Sequence, residues 1–318
     1  MIVTVTPNPS LDRALEVEHL AVGEVNRAHA VHVDAGGKGI NVSRALVRQG
    51  IASLAVLPVG GVDGARLVSL LAEHGVPTAP VPVHGDTRSN VTLVDGSGAT
   101  TKINAPGVPL TPDEVDALLA VVDERLAAGP AAVVAAGSLP AGAGDDFFVR
   151  LATLAGRHGV RVALDTSGAP LAQAVRAGGL ELIKPNEHEL AELVGREITT
   201  VGETVAAARE AIAAGTRAVL VSLGAQGAVL VTAERAWWAG GSPLQPASTV
   251  GAGDTTLAGY LSAVGQDPGQ RLRAAVAWGR AAVLLPGTQV PGPSQIDLAA
   301  VRLVPDPDPD TLLKELCG

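Results

Sequence analysis

Cysteine is almost absent from this chain. Cys317 is the only one among 318 residues. That excludes an intramolecular disulfide framework and a cysteine-based metal cluster. Long apolar runs are absent too: none reaches the ~18 residues needed to span a bilayer. The opening MIVTVTPNPS has no basic n-region and no cleavage site, so no signal peptide is expected. Positive charge is in deficit, with 23 Lys and Arg against 32 Asp and Glu and a net charge of −9. This disfavours a general nucleic-acid binder. A soluble cytoplasmic protein is the expectation. Two common nucleotide fingerprints are also missing. AGGKGIN places Gly39 after the lysine, which breaks the P-loop order, and TPNPSLD after the first strand has no glycine for a dinucleotide turn. A dehydrogenase is therefore disfavoured.

What remains is informative. Only four of the basic residues are lysines, Lys38, Lys102, Lys184 and Lys314. Lysine is a compact point charge that arginine does not replace, so their positions matter. Hydrophobic residues make up 47% of the chain, enough for a sizeable core. Short β-branched runs at 2–6, 52–59, 131–135, 161–165, 180–184 and 217–222 alternate with amphipathic stretches. These stretches lie at 40–49, 65–74, 112–128, 146–158, 205–214 and 255–264. Repeated strand–helix order predicts an α/β fold, a parallel sheet covered by helices on both faces. Residues 10–35 and 86–104 break the rhythm with half-polar, alternating segments, the second a hairpin turning at Asp95-Gly96-Ser97-Gly98. They predict one small antiparallel sheet inserted in two pieces, a lid or a dimer contact. The α/β core then comprises 1–9, 36–85 and 105–304. In the tail, 305–318, three prolines predict an extended linker followed by one short helix.

Several motifs could carry chemistry, and each also has a plain structural reading. In AGGKGIN, Gly36, Gly37 and Gly39 allow close backbone approach, the next helix aims N–H groups outward, and Lys38 and Asn41 add polar contacts. This suits an anionic or polyhydroxyl ligand, or merely a tight turn. Arg88 and Asn90 share a face of the first hairpin strand, and an arginine fork matches a phosphate. In KPNEHEL, Asn186 and Glu189 have capping-box spacing, which would equally hold a hydrated Mg²⁺ through water. In SLGAQGA, Ser222, Gly224 and Gly227 offer backbone donors to a phosphate, or form an ordinary hairpin.

GAGD occurs twice. At 142–145 it precedes an amphipathic helix, where Asp145 and Asp146 are expected to cap N–H groups. At 251–254 it precedes TTLAGYLSAVG, small and uncharged, which predicts a deeply buried helix. Gly251, Ala252 and Gly253 would then line an anion hole with Asp254 as a base beside it. That pairing is what phosphoryl transfer to an alcohol requires.

With TPNPSLDR, GGKGINVSRAL, GSLP, KPNEHEL, SLGAQGA and TVGAGDTTLAGYL in this order, nearly the whole chain resembles the ribokinase-like (PfkB) family of carbohydrate kinases. The opening motif is most similar to its phosphosugar branch, the 1-phosphofructokinases and tagatose-6-phosphate kinases, and above all to the former. The resemblance implies a three-layer core with a β-sheet lid that often forms a homodimer. It implies ATP and Mg²⁺, with Asp254 activating the sugar hydroxyl and Gly251, Ala252 and Gly253 receiving the anion. Asp12, Gly37 and Asn41 would hold sugar hydroxyls. Lys38 and Arg88 would hold the substrate phosphate, with Ser138 nearby. Lys184, Ser222, Gly224 and Gly227 would line the ATP site, and Asn186 and Glu189 would organise Mg²⁺. The implied reaction converts fructose 1-phosphate to fructose 1,6-bisphosphate. The alternatives are tagatose-6-phosphate or fructose-6-phosphate kinase activity, and a non-catalytic sugar-phosphate-binding regulator. Three positions depart from the family pattern. A family lysine is replaced by Thr92, a common acidic residue by Lys102, and SLPAGAGDDF stands where SLPPGV is usual. Lys102 is expected to restore the charge missing at Thr92 across the hairpin.

Overall fold

The computed structural model describes residues 1–317. In chain order the elements are β1 Ile2–Val5, β2 Ser10–Val17, β3 Ala28–Gly36, α1 Lys38–Arg48, β4 Ser53–Val59, α2 Gly61–Glu73 and β5 Thr78–Pro82. Next come β6 Arg88–Val94, β7 Thr100–Ile103, α3 Pro112–Ala127, β8 Ala132–Ala136, α4 Phe147–Arg157, β9 Val162–Asp165, α5 Gly168–Ala177 and β10 Leu182–Ile183. The remainder is α6 Glu187–Val194, α7 Val201–Ala213, β11 Ala218–Ser222, β12 Ala228–Thr232, β13 Ala236–Gly240, α8 Ala252–Ser262, α9 Pro268–Val283 and β14 Arg302–Pro305.

A 10-stranded sheet runs β14-β13-β12-β11-β10-β9-β8-β1-β4-β5. From β5 to β11 neighbouring strands are parallel. The expected parallel order ends there, because β11 to β14 pair antiparallel. The reason is local: SLGAQGA closes a tight turn, so β12 returns beside β11 with no crossover helix between them. Both faces are covered. Along β11, Val219 and Val221 pack under the layer containing α3 to α7, whereas Ala218 and Leu220 pack under α1, α8 and α9. Burial on both sides explains the continuous apolar strands.

The second sheet has four strands in the order β3-β2-β6-β7. Each hairpin is antiparallel, and β2 and β6 join them as a parallel pair from Ser10↔Arg88 to Glu16↔Val94. The hairpin turn lies where expected: Asp95 Oδ1 accepts from the N–H groups of Ser97 and Ala99. Several helices start earlier than their periodicity indicates. The helix after the second GAGD begins at Ala252, inside the motif, and α1 begins at Lys38. The tail also differs from expectation. Arg302–Pro305 forms the edge strand β14, and the short helix is a single 3₁₀ turn, Leu313–Glu315. Among the described residues no helix is long and apolar enough to cross a membrane.

Candidate active site

The C-terminal ends of parallel strands are where α/β sheets collect ligands. Asp165 ends β9, Lys184 follows β10 and Ser222 ends β11. Ser222 and Asn186 are bridged side by side there. The N-terminus of α8 opens onto the same edge.

Close packing positions α8. A Cβ on Gly259 would lie 2.7 Å from Trp278 Cγ, and one on Gly279 would lie 2.2 Å from Thr256 Oγ1. Small residues thus let α8 and α9 approach backbone to backbone, which explains the bland composition after the motif. Gly251 caps α8 in the left-handed region at φ 76°, and no side chain caps the helix. The first N–H groups of a helix lack internal partners, and the Ala252 N–H reaches only Thr249 O, at 3.4 Å. The mouth therefore presents donors to an incoming anion. Asp254 sits in that first turn and is 7% exposed. Asn41 on α1 donates from Nδ2 to Asp254 Oδ2 at 2.8 Å. Burial, and then the charge of Asp165, push the Asp254 carboxyl up to about 6; the Asn41 bond and the two nearby lysines act in the opposite direction. The carboxylate is held in place yet remains basic enough to accept a proton near neutrality.

Asp165 was not singled out from sequence, where it appeared only as the end of a strand. It is 1% exposed and links two of the four lysines. Lys38 Nζ lies 2.7 Å from Oδ1, and Lys184 Nζ lies 3.0 Å from Oδ2. Burial pulls the Lys38 ammonium down, but the charge and hydrogen bond of Asp165 outweigh it and hold it above its ordinary value. Burial pushes Asp165 up, and the two lysines more than offset it, so the carboxyl sits below its ordinary range. A Cβ on Gly253 would lie 3.5 Å from Lys184 Nζ, so a fixed cation flanks the α8 mouth. The signal in sequence was a carboxylate ending a buried parallel strand. Its function depends on lysines 127 and 19 residues away, which no local pattern reveals.

On the four-stranded sheet, Asp12 Oδ1 accepts from Ser10 Oγ at 2.7 Å and Asn90 Nδ2 at 2.9 Å. Its other oxygen rests on Gly36, where a Cβ would come within 2.2 Å. Gly37 adopts φ 127°, a conformation suited to glycine. Arg88 differs from the free fork expected of it. Its Nε, Nη1 and Nη2 donate to the carbonyls of Pro9, Ala105 and Asn8. Asn8 in turn donates to Ser138 Oγ at 3.2 Å. Arg88 thus fastens the four-stranded sheet to the core and has only part of its donor set left for a ligand. Thr92 and Lys102 are direct register partners. Lys102 therefore shares a sheet face with Thr92, and by alternation with Asn90 and Arg88.

On the other side, Asn186 Oδ1 accepts from the Glu189 N–H, and Glu189 Oε2 accepts from the Asn186 N–H, both at 2.8 Å. The capping box is complete. Glu189 Oε1 has no hydrogen bond among the described residues, and Glu189 adds to the field holding the Lys38 charge. No group of three or more His, Cys, Asp or Glu among the described residues could cage a metal. This donor set fits Mg²⁺ that keeps its waters and takes further oxygens from phosphates. In the β11–β12 turn, Gly224 has open space around it, consistent with a ligand approaching. Gly227 is different: a Cβ there would meet Ala239 O at 2.1 Å, so packing requires this glycine.

Asp145 and Asp146 do not cap as expected. The N-cap of α4 is Asp146, in αR geometry, with no side-chain cap bond, and Asp145 is exposed. An N-cap side chain normally bonds the helix N–H groups from extended backbone, which Asp146 does not adopt.

Residues 7–295 match the family model described as pfkB family carbohydrate kinase. The chain is 39% identical to a 1-phosphofructokinase of Rhodobacter capsulatus, with 93% of this chain and 94% of that protein covered. It is 37% identical to the ATP-dependent 6-phosphofructokinase isozyme 2 of Escherichia coli, covering 91% and 94%. A solved structure of phosphofructokinase-2 from Escherichia coli superposes with a TM-score of 0.87 at 35% identity, covering 93% and 96%.

Proposed function

The chain belongs to the pfkB family of carbohydrate kinases, and from that premise we propose that it transfers the γ-phosphoryl group of ATP to the C6 hydroxyl of fructose 1-phosphate. The products are fructose 1,6-bisphosphate and ADP. The observation that carries this reading is the buried Asp254 carboxylate inside the uncapped first turn of α8. Base and anion-receiving N–H groups adjoin there, as an alcohol attacking a phosphoryl group needs.

In this mechanism Asp254 accepts the C6 hydroxyl proton as the oxygen attacks the γ-phosphorus. The bond from the γ-phosphorus to the bridging oxygen breaks, and ADP leaves with that electron pair. The N–H groups of Ala252, Gly253 and Asp254 receive charge on the transferred group, and Lys184 adds a cation beside them. Asn41 acts on Asp254 rather than on the sugar alone, which modifies the role the resemblance implied. Asp12, steadied by Ser10 and Asn90, is placed for a sugar hydroxyl beside Gly36 and Gly37. Lys38, Arg88 and Ser138 are assigned to the substrate-phosphate region. Ser222, Gly224 and Gly227 line the nucleotide side. Mg²⁺, held by Glu189 and Asn186 through water, would neutralise phosphate charge. Lid closure would exclude water and protect ATP from hydrolysis.

Lys102 is assigned to the substrate phosphate in place of the residue missing at Thr92. Lys102→Ala should raise the KM for the sugar phosphate about tenfold, the scale of one charge-assisted hydrogen bond, and leave the KM for ATP alone. The exposed Val25, Val31 and Ile103 on the lid segments support a homodimer through that sheet. Use of ATP supports a cytoplasmic location.

A coupled ADP-release assay over fructose 1-phosphate, fructose 6-phosphate and tagatose 6-phosphate tests the assignment. The highest kcat/KM is expected for fructose 1-phosphate. Preference for fructose 6-phosphate would move the chain to the second reading, which the 6-phosphofructokinase relative favours. No turnover of any ketose phosphate would leave the sugar-phosphate-binding regulator.

A further inference from the structure

The segment after β14 has no part in the mechanism above, yet it is tied down along its length. The Asp306 N–H bonds Ala236 O, and Asp306 pairs with Arg235. Farther on, Pro309 O accepts from the Gly202 N–H, Thr311 O from the Val201 N–H, and the Leu313 N–H donates to Thr199 O. Leu313 and Leu316 are buried in the core layer beneath α7. The segment ends on Gln226, in the turn that carries Gly224 and Gly227. The Cys317 backbone N–H donates to Gln226 Oε1 at 2.9 Å. The Gln226 carbonyl accepts from Trp238 Nε1 at 2.8 Å. Arg302 completes the link, stacking 4.8 Å over the Trp238 ring and donating to Leu316 O at 3.4 Å.

We propose that residues 306–317 are a brace for the nucleotide turn and that Gln226 is the positioning residue through which they act. The inference rests on the assignment of Gly224–Gly227 to ATP. The turn contains two glycines at positive φ, 56° and 84°, and an alanine whose methyl group anchors little. Such a turn has many conformations to lose when a ligand orders it. Gln226 is its one long side chain, and it is held from the main chain by Trp238 and from the side chain by the tail. A turn ordered in advance binds more tightly because the ordering cost is already met. A segment fixed through buried leucines can supply that order.

The test compares ADP binding by calorimetry, and KM values by assay, in the parent protein, Gln226→Ala, Gln226→Glu and a chain lacking 312–318. Gln226→Ala and the shortened chain should each weaken ADP binding and raise the KM for ATP about fivefold, the scale of one hydrogen bond. The KM for the sugar phosphate should stay within about twofold. Gln226→Glu keeps an acceptor for the Cys317 N–H and should remain near the parent. Combining Gln226→Ala with the shortened tail should add little, since both remove one contact. A folded Gln226→Ala with unchanged ADP affinity overturns the brace, and this variant decides the matter if the shortened chain does not fold. ADP binding without turnover of any ketose phosphate would remove the proposed reaction but leave this comparison intact. No ADP binding by the parent would remove both.

Discussion

The two Gly-Ala-Gly-Asp copies have the same four residues and opposite surroundings. At 142–145 both the second glycine and the aspartate are exposed, and the helix begins two residues later, at Phe147. At 251–254 the helix begins within the motif and brings the aspartate into its first turn. Two glycines elsewhere, Gly259 and Gly279, set that difference by letting α9 press against α8. The role proposed for the copy at 251–254 thus comes from what surrounds the turn, not from its own letters. An exposed carboxylate at a helix start is screened by water. A buried one loses that hydration and, beside the Asp165 charge, is held more basic even though the two lysines pull the other way.

The largest expected effect comes from exchanging the carboxylates for amides. Asp254→Asn should lower kcat about 10³-fold, the scale of a lost general base, while circular dichroism and Tm show an intact fold. If kcat fell less than tenfold, the two copies would have no catalytic asymmetry to explain.

Asp165→Asn comes next. It leaves Lys184 buried without its counter-charge, and breaking such a pair costs about 3 kcal/mol, read as a lower midpoint in urea. The first copy has no counterpart to this support, so no charged residue near Asp145 should give a comparable loss. A urea midpoint equal to that of the parent would show that the lysines find other partners.

Asn41→Ala sharpens the comparison through pH. The rate should require ionised Asp254, so kcat should fall as pH drops through about 6, the value the surroundings impose. The Asn41 bond favours the ionised form; removing it should shift the acidic limb to higher pH and lower kcat about tenfold at neutrality. An unshifted limb with normal kcat would mean that Asn41 does not act through Asp254.

The smallest effect belongs to Asp145→Asn. With no cap bond to lose, stability should change by less than about 0.5 kcal/mol and activity not measurably. A clear loss of Tm would show a contact at that helix start which the structure does not hold.

Local periodicity made much of the scaffold legible. The alternating strands and helices of the core, the hairpin turn at Asp95, and the capping box at Asn186 depend on residues within a few positions of each other. Asp254, Asn41, Lys38 and Lys184 stood out because glycines and scarce lysines marked them. Asp165 did not, nor did the bonds that occupy Arg88, because their partners come from distant strands. The helices α5 and α9 and the strands β5, β13 and β14 also went unread. β13 runs into the Gly- and Pro-containing AGGSPLQP and the edge strand β14 into the proline-rich tail, whose local signals favour turns.

By itself, then, the sequence determined the layered α/β plan, the small sheet in two pieces, and the turn at Gly251 that only a short, flexible segment can make. These follow from backbone conformation and from the period of apolar residues, which are local. Only the tertiary structure decided that Asp165 joins Lys38 to Lys184, that Arg88 fastens the small sheet to the core, and that the tail reaches Gln226. Burial and pairing of charge depend on distances between segments far apart in the chain. Those distances exist only once the sheet has brought its strand ends to one edge.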